Sequence, residues 1–169
     1  MTEMNMRNIT NLLPRLLSCL LAATLSISTS VAWAQSDDLV ENPRVLMKTT
    51  DGDITIELFA DKSPITVENF LRYVDDGHYD GTVFHRVISN FMIQGGGFDT
   101  DLKEKETRDA IVNESKNKLH NTRGTLAMAR TSDPDSAAAQ FFINQRSNLR
   151  LDWSGGKDGY TVFGEVIDG

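Results

Sequence analysis

Residues 84–98 read Phe-His-Arg-Val-Ile-Ser-Asn-Phe-Met-Ile-Gln-Gly-Gly-Gly-Phe, a pattern that predicts two short strands joined by a turn at Ser89-Asn90. Alternate side chains of a strand share a face, so Arg86 and Gln94 each point to the same side as the residues two positions away. Arginine is almost never buried without a partner, and Gln94 is the candidate that would hold Arg86 still. The alternative is an arginine at the rim of a sheet that reaches solvent.

The composition of the chain is that of a soluble globular domain. Its 169 residues suffice for one domain with a hydrophobic core, and 40% of them are hydrophobic. The net charge is −7, which argues against a surface for nucleic acid or anionic membrane, because such surfaces need a basic patch. We therefore predict a monomer with no nucleic-acid partner.

The first 34 residues predict a secretory signal peptide. Two arginines, Arg7 and Arg15, precede an apolar stretch over residues 16–31, and Ala32-Trp33-Ala34 has the small residues of a cleavage site. We predict cleavage after Ala34, which would leave no stable membrane insertion. It would also remove the chain's single cysteine and leave 15 cations against 23 anions, a net charge of −8.

Two alternatives to a cleaved signal peptide remain open. A membrane anchor needs ~20 largely apolar residues, whereas several serines and a threonine interrupt this stretch. Lipid attachment at Cys19 would leave almost no apolar run before the cysteine, because Pro14 and Arg15 intervene. Sequencing the mature N-terminus distinguishes a cleaved chain from a membrane-tethered form.

The rest of the chain predicts a linker over residues 35–43 and a folded domain over residues 44–169. Asp51-Gly52 between two alternating runs is a hairpin signal, and Ser63-Pro64 begins a helix with a serine cap. The predicted elements are strands 45–50 and 53–59, a helix ending near Gly77, the two strands of residues 84–98, a charged surface loop over 98–122, and strands 124–130, 140–144 and 160–166. Many short strands with one helix predict a closed or nearly closed β-barrel.

The residues that bear chemistry suggest a site without a covalent nucleophile. The chain has no phosphate-binding loop and no Gly-x-Ser-x-Gly elbow, and its three histidines lack ligand spacing, so we predict no metal and no cofactor. Apolar side chains concentrate beside amide and guanidinium donors, namely Arg86, Phe91, Met92, Gln94, Gln140 and Phe142. Such a site can hold a ring or an amide.

Five segments carry a family resemblance: Phe84-His85-Arg86-Val87, Phe91-Met92-Ile93-Gln94-Gly95-Gly96, Gly124-Thr125-Leu126-Ala127-Met128-Ala129, Gln140-Phe141-Phe142-Ile143 and Val162-Phe163-Gly164. In this order they resemble the cyclophilin-type peptidyl-prolyl cis-trans isomerases. Residues 113–114 and 121–124 resemble the bacterial exported branch, in agreement with the predicted signal peptide. The resemblance implies a periplasmic rotamase that assists the folding of exported, proline-containing proteins.

The resemblance also implies a fold and a set of site residues. The fold would be an eight-stranded antiparallel β-barrel capped by helices, with the substrate groove on one outer face. Arg86 would be the catalytic residue and Gln94 its support. The proline of the substrate would lie in a pocket formed by Phe91, Met92, Phe142, Leu151 and Tyr160. Ala129 and Gln140 would line the groove, and Arg130 would contact the backbone of the substrate. The alternative is a binding module that holds proline segments without turnover.

The sequence departs from the family pattern in several places. Arg150 stands where many members carry tryptophan, so we expect weakened cyclosporin binding, and nanomolar inhibition in a titration would contradict this. Tyr160 replaces a common histidine, and Arg130 replaces a common asparagine. Family members continue through a helix to a last strand that pairs with the first. This sequence stops at Gly169, without that helix and last strand. If nothing follows, we expect an open barrel with an unpaired edge at the strand over 45–50.

Overall fold

The computed structural model describes residues 2–10 and 42–169, which form one nine-stranded antiparallel sheet with a single α-helix. The elements are β1 (Glu3–Asn8), β2 (Arg44–Thr49), β3 (Gly52–Leu58), α1 (Pro64–Asp75), β4 (Thr82–Val83), β5 (Arg86–Ile88), β6 (Met92–Gly95), a 3-10 turn (Ser115–Asn117), β7 (Thr125–Met128), β8 (Phe141–Asn144), a second 3-10 turn (Leu149–Leu151) and β9 (Val162–Asp168). The strand order is β4-β1-β2-β3-β9-β7-β8-β6-β5. Its two end strands, β4 and β5, are consecutive in the chain, so the two edges of the sheet come close together. The sheet is curled into a half-barrel, and the mostly β prediction is confirmed.

The predicted signal peptide lies only partly within the described residues. Its apolar stretch, Cys19 and the cleavage site after Ala34 lie outside them, as does most of the predicted linker. Within the described part of the chain, no helix is long and apolar enough to cross a membrane.

The expected unpaired edge is not found in the full chain, because β1 pairs along β2 from Met4 opposite Thr49 to Asn8 opposite Val45. For a chain cleaved after Ala34 it stays a prediction. β1 also pairs with β4 on its other side. The side chains of Met4 and Met6 are 1% and 3% exposed and belong to the main core. The beginning of the predicted signal peptide therefore contributes a ninth strand to the sheet.

The hairpin of β2 and β3 forms where the sequence predicts it, with a shift of one residue. Thr49 pairs with Gly52, so the turn consists of Thr50 and Asp51, and Gly52 adopts a φ of +136°. This conformation favours glycine, because a Cβ would be strained there. Ile56 and Leu58 are fully buried, as the alternating pattern predicts.

Helix α1 begins at the predicted proline, but its cap differs from the prediction. The Ser63 hydroxyl donates to the carbonyl oxygen of Val162 at 2.8 Å and makes no cap bond. The carboxylate of Glu114 instead accepts from the amides of Ile65 and Thr66, at 3.2 and 2.8 Å. A carboxylate at a helix N-terminus satisfies free amides and complements the helix dipole. The charged surface loop thereby anchors the helix.

Two clusters of buried side chains fill the fold. In the larger one, aromatic rings of α1, β8 and β9 meet, with ring centroids of Phe70 lying 5.7 Å from Phe141 and 5.1 Å from Phe163. A smaller cluster contains Met92, Phe142, Ala127 and Val162. Four of the half-buried side chains packed against the smaller cluster line the candidate site, namely Phe91, Ala129, Leu151 and Tyr160.

Candidate active site

A cavity of about 110 Å³ lies over the smaller cluster. Nine of the ten predicted site residues line it: Arg86, Phe91, Met92, Gln94, Ala129, Arg130, Phe142, Leu151 and Tyr160. The tenth, Gln140, lines a neighbouring groove that shares Gln94, Ala129 and Arg130 with this cavity. The fold thus brings together residues that are up to 74 positions apart in the sequence.

Arg86 lies directly opposite Gln94 in the pairing of β5 with β6. One terminal N–H of Arg86 donates to Oε1 of Gln94 at 3.3 Å, and Nε2 of Gln94 donates to Oε1 of Gln140 at 3.0 Å. The guanidinium is exposed at the rim of the cavity, so both sequence interpretations of this arginine hold in part. It reaches solvent, and one hydrogen bond links it to an amide chain.

The glycine run makes room for this amide chain. A Cβ at Gly97 would overlap the side chain of Gln140 and displace it from Gln94. Gly96 has a φ of +84°, and a Cβ there would lie 2.8 Å from the ring of Tyr79. The glycines after β6 therefore serve close packing behind the site.

The apolar wall consists of buried and half-buried side chains. Met92 and Phe142 are buried, whereas Phe91, Leu151 and Tyr160 are half-buried at the opening. The rings of Phe142 and Tyr160 pack edge to face with centroids 5.7 Å apart. This surface can accept a small aliphatic ring but holds no nucleophile.

Arg130 binds mainly to its own surroundings. Its guanidinium donates to the carbonyl oxygens of Thr131, Asp158 and Gly159 at 2.8–3.3 Å and lies 4.5 Å from the ring centroid of Tyr160. These bonds hold the cation against the ring of Tyr160 at the opening of the cavity. Most of its donors are already engaged, and its predicted contact with substrate backbone stays a prediction.

Amide side chains that sequence reasoning missed anchor the far wall. Nδ2 of Asn148 donates to the carbonyl of Phe91 at 2.9 Å, and Oε1 of Gln145 accepts from the amide of Asn90 at 2.6 Å. Asn90 has a φ of +57°, which asparagine tolerates in the β5–β6 turn. The sequence signal for these amide contacts is the pair Asn144-Gln145, which directly follows the Gln-Phe-Phe-Ile segment.

Two histidines beside the site have lowered pKa values. Burial lowers the pKa of His78, and burial together with the nearby Arg86 charge lowers that of His85. The ring of His85 packs against Phe98 at 4.5 Å, and within the described residues its Nδ1 has no hydrogen-bond partner. In addition, no group of three or more His, Cys, Asp or Glu in this part of the chain could hold a metal ion.

We expect the stability of the protein to fall as the pH decreases from 7.5 to 5.5. The unfolded histidines take up protons near their ordinary pKa of ~6.5, whereas the folded ones do so only at lower pH, so acid favours unfolding. The midpoint of urea unfolding measures this. Replacing both His78 and His85 by glutamine should remove most of the fall. An unchanged fall in the double variant would contradict this assignment.

Comparison with known proteins gives consistent results. The family model for the cyclophilin type peptidyl-prolyl cis-trans isomerases matches residues 44–169. A peptidyl-prolyl cis-trans isomerase of Acinetobacter baylyi is 59% identical over 128 residues, which are 76% of this chain and 68% of the relative. The peptidyl-prolyl cis-trans isomerase B of Escherichia coli is 56% identical over 74% of this chain and 78% of its own length.

A solved structure has the same fold. The cyclophilin type isomerase of Cryptosporidium parvum, crystallised in the presence of the dipeptide Ala-Pro, superposes with a TM-score of 0.62 at 32% sequence identity. The alignment covers 75% of this chain and 79% of that one.

Proposed function

Since the chain belongs to the cyclophilin-type peptidyl-prolyl cis-trans isomerases, we propose that it isomerises X-Pro bonds of exported proteins in the periplasm, with Arg86 as its catalytic residue. The observation that carries the assignment of the site is the guanidinium of Arg86, hydrogen-bonded to Gln94 beside a small apolar cavity. Family membership favours an enzyme over a module that only binds proline. Proline-containing peptides are the substrate class, in keeping with the Ala-Pro dipeptide of the Cryptosporidium structure.

The reaction requires stabilisation of a twisted amide rather than the breaking of a bond. Rotation about a peptide C–N bond has a barrier of ~18–20 kcal/mol, because the bond has partial double-bond character. As the bond twists, conjugation is lost and the proline nitrogen becomes a better hydrogen-bond acceptor. A guanidinium can donate to this nitrogen in the twisted state only, and such a selective interaction lowers the barrier.

The apolar wall would hold the proline ring while the preceding carbonyl rotates. Phe91, Met92, Phe142 and Leu151 exclude water from one side of the ring, which favours the less polar twisted amide. A charge-assisted hydrogen bond from Arg86 would add about 1.5–3 kcal/mol in the twisted state. No titratable group needs to exchange a proton in this mechanism.

We expect Gln94→Leu to lower kcat about fivefold to tenfold and to change KM less. Leucine removes the acceptor for Arg86 and leaves Gln140 without its donor, so the guanidinium loses its fixed orientation. Steady-state kinetics on a capped Ala-Pro peptide measure the two constants. Gln94→Glu keeps an acceptor for Arg86 and should recover part of kcat, and equal loss in both variants would contradict a positioning role.

The periplasmic location rests on the N-terminal sequence pattern. The experiment is expression of the full chain in a bacterium, followed by cell fractionation and sequencing of the N-terminus. Recovery from the periplasm with Gln35 as first residue supports the proposal. A cytoplasmic chain that keeps its first residues would contradict it.

The role in folding has a separate test. An exported protein whose refolding is limited by proline isomerisation should refold faster in the presence of this chain, because uncatalysed isomerisation takes tens to hundreds of seconds. The Arg86→Ala variant is the control for acceleration without catalysis. Acceleration by both proteins to the same extent would indicate binding of unfolded chains rather than isomerisation.

A further inference from the structure

We propose that Arg146 and Arg150 form an anion subsite that selects substrates with a glutamate or aspartate close to the proline, an inference that rests on the proposed function. The subsite is a second cavity, of about 340 Å³, whose lining residues are Asn90, Phe91, Arg146, Ser147, Asn148, Leu149 and Arg150. It shares Phe91 with the proline cavity. A peptide with its proline ring against Phe91 therefore extends into this second cavity on one side of the ring.

The positions of the two arginines are defined by the surrounding loop. Asn148 is buried, and its Nδ2 donates to the carbonyl of Phe91 and to Oδ1 of Asn144 at 2.9 and 2.8 Å. Its backbone amide donates to the carbonyl of Asn121 at 2.7 Å. The guanidinium of Arg150 lies 5.3 Å from the ring centroid of Phe91. One cation thus covers the partition between the two cavities, and a loop anchored at Asn148 carries both arginines.

The charge of the cavity lacks a counter-charge. None of its lining residues is acidic, and within the described residues neither arginine forms an ion pair or a hydrogen bond. Arg130, in contrast, is engaged by three carbonyl oxygens of its own loops. Two uncompensated guanidinium groups are notable in a chain with a net charge of −7, and they favour an anionic ligand.

The anionic ligand would be a side chain of the substrate peptide itself. The anions of an unmodified peptide chain, apart from its terminus, are the carboxylates of glutamate and aspartate, which arginine binds in a bidentate manner. An extended chain advances about 3.3–3.6 Å per residue, so a residue one to three positions from the proline reaches the adjacent cavity. The exposed side chain of Leu149 at the edge can pack against its methylene groups.

The test uses capped heptapeptides with one central proline and with Glu or Gln at one of the three positions on either side. The ratio of kcat/KM for the Glu and Gln peptides, from NMR exchange rates, should reach about threefold to tenfold at one or more positions. The ratio should decrease towards one at about 0.5 M salt, because salt screens exposed charges. Capped ends remove the terminal charges.

The double variant Arg146→Gln/Arg150→Gln should reduce the ratio to about one. For each protein, the ratio divides kcat/KM for the Glu peptide by kcat/KM for the Gln peptide measured with that same protein. Arg72→Gln, an exposed arginine on α1 that lines none of these cavities, is the matched control and should keep the ratio. A ratio of one at every position in the unchanged protein, or a full ratio in the double variant, would overturn the inference. Failure to accelerate any Gln peptide would instead overturn the proposed function, and this inference with it.

Discussion

Replacing Arg86 by alanine is expected to lower kcat/KM for a capped Ala-Pro peptide by about 100-fold. In the proposed mechanism the guanidinium donates to the proline nitrogen as the amide twists, and its hydrogen bond to Gln94 limits its orientation. The remaining rate enhancement would come from the apolar wall, which still excludes water. NMR exchange spectroscopy on the variant and the unchanged chain measures the loss.

Two controls separate the loss of a donor from a loss of structure. Arg86 is exposed on the end strand β5, so the alanine variant should keep the urea midpoint of the unchanged protein. Arg86→Lys keeps the charge but not the planar fork of N–H groups, so we expect a rate between the other two. A full rate in the alanine variant would refute the catalytic role of Arg86.

Removal of β1 is expected to lower the free energy of unfolding by several kcal/mol. The chain that begins at Gln35 lacks the buried side chains of Met4 and Met6, and truncation of a buried methionine costs about 2–5 kcal/mol. It also leaves the edges of β2 and β4 without the backbone partners that they have in β1. Urea unfolding of the two chains measures the difference.

The same comparison shows what signal cleavage after Ala34 would do to the sheet. A synthetic peptide of residues 2–10 should restore part of the stability of the shortened chain, because a ligand that binds only the folded state stabilises it. Without the peptide, the exposed edges should promote self-association, visible by sedimentation. Equal urea midpoints for both chains would show that β1 contributes nothing to stability.

Local sequence signals predicted the local elements well. Asp51-Gly52 placed the first hairpin within one residue, and Ser63-Pro64 placed the start of α1. The cap of that helix was not predictable in this way. Glu114 lies 48 residues beyond Thr66, and a contact over that distance depends on the whole fold.

β1 was missed because two patterns overlap in the same residues. A positive charge before an apolar stretch indicates a signal peptide, and Arg7 meets that description. The alternation of Met4 and Met6 with polar residues was a strand signal of period two, and the structure shows both side chains buried. Six residues with so few apolar side chains identify a strand only when the partner strand is known.

The site was predictable because the resemblance covers five segments in order. Nine of the ten residues line one cavity, yet their roles stay predictions. The amide chain from Arg86 through Gln94 to Gln140 depends on the register of β5, β6 and the loop before β8, which spacing alone does not determine. The engagement of Arg130 by carbonyl oxygens likewise depends on how residues 158–159 pass beside it.

The most direct test of the central claim is two-dimensional NMR exchange spectroscopy of a capped Ala-Pro peptide with catalytic amounts of the full chain. We expect exchange cross-peaks between the cis and trans forms, with a rate proportional to the concentration of the protein. We also expect that the Arg86→Ala variant at the same concentration gives almost none of this exchange. An exchange rate that stays at the uncatalysed value, tens to hundreds of seconds per event, would contradict isomerase activity of this chain.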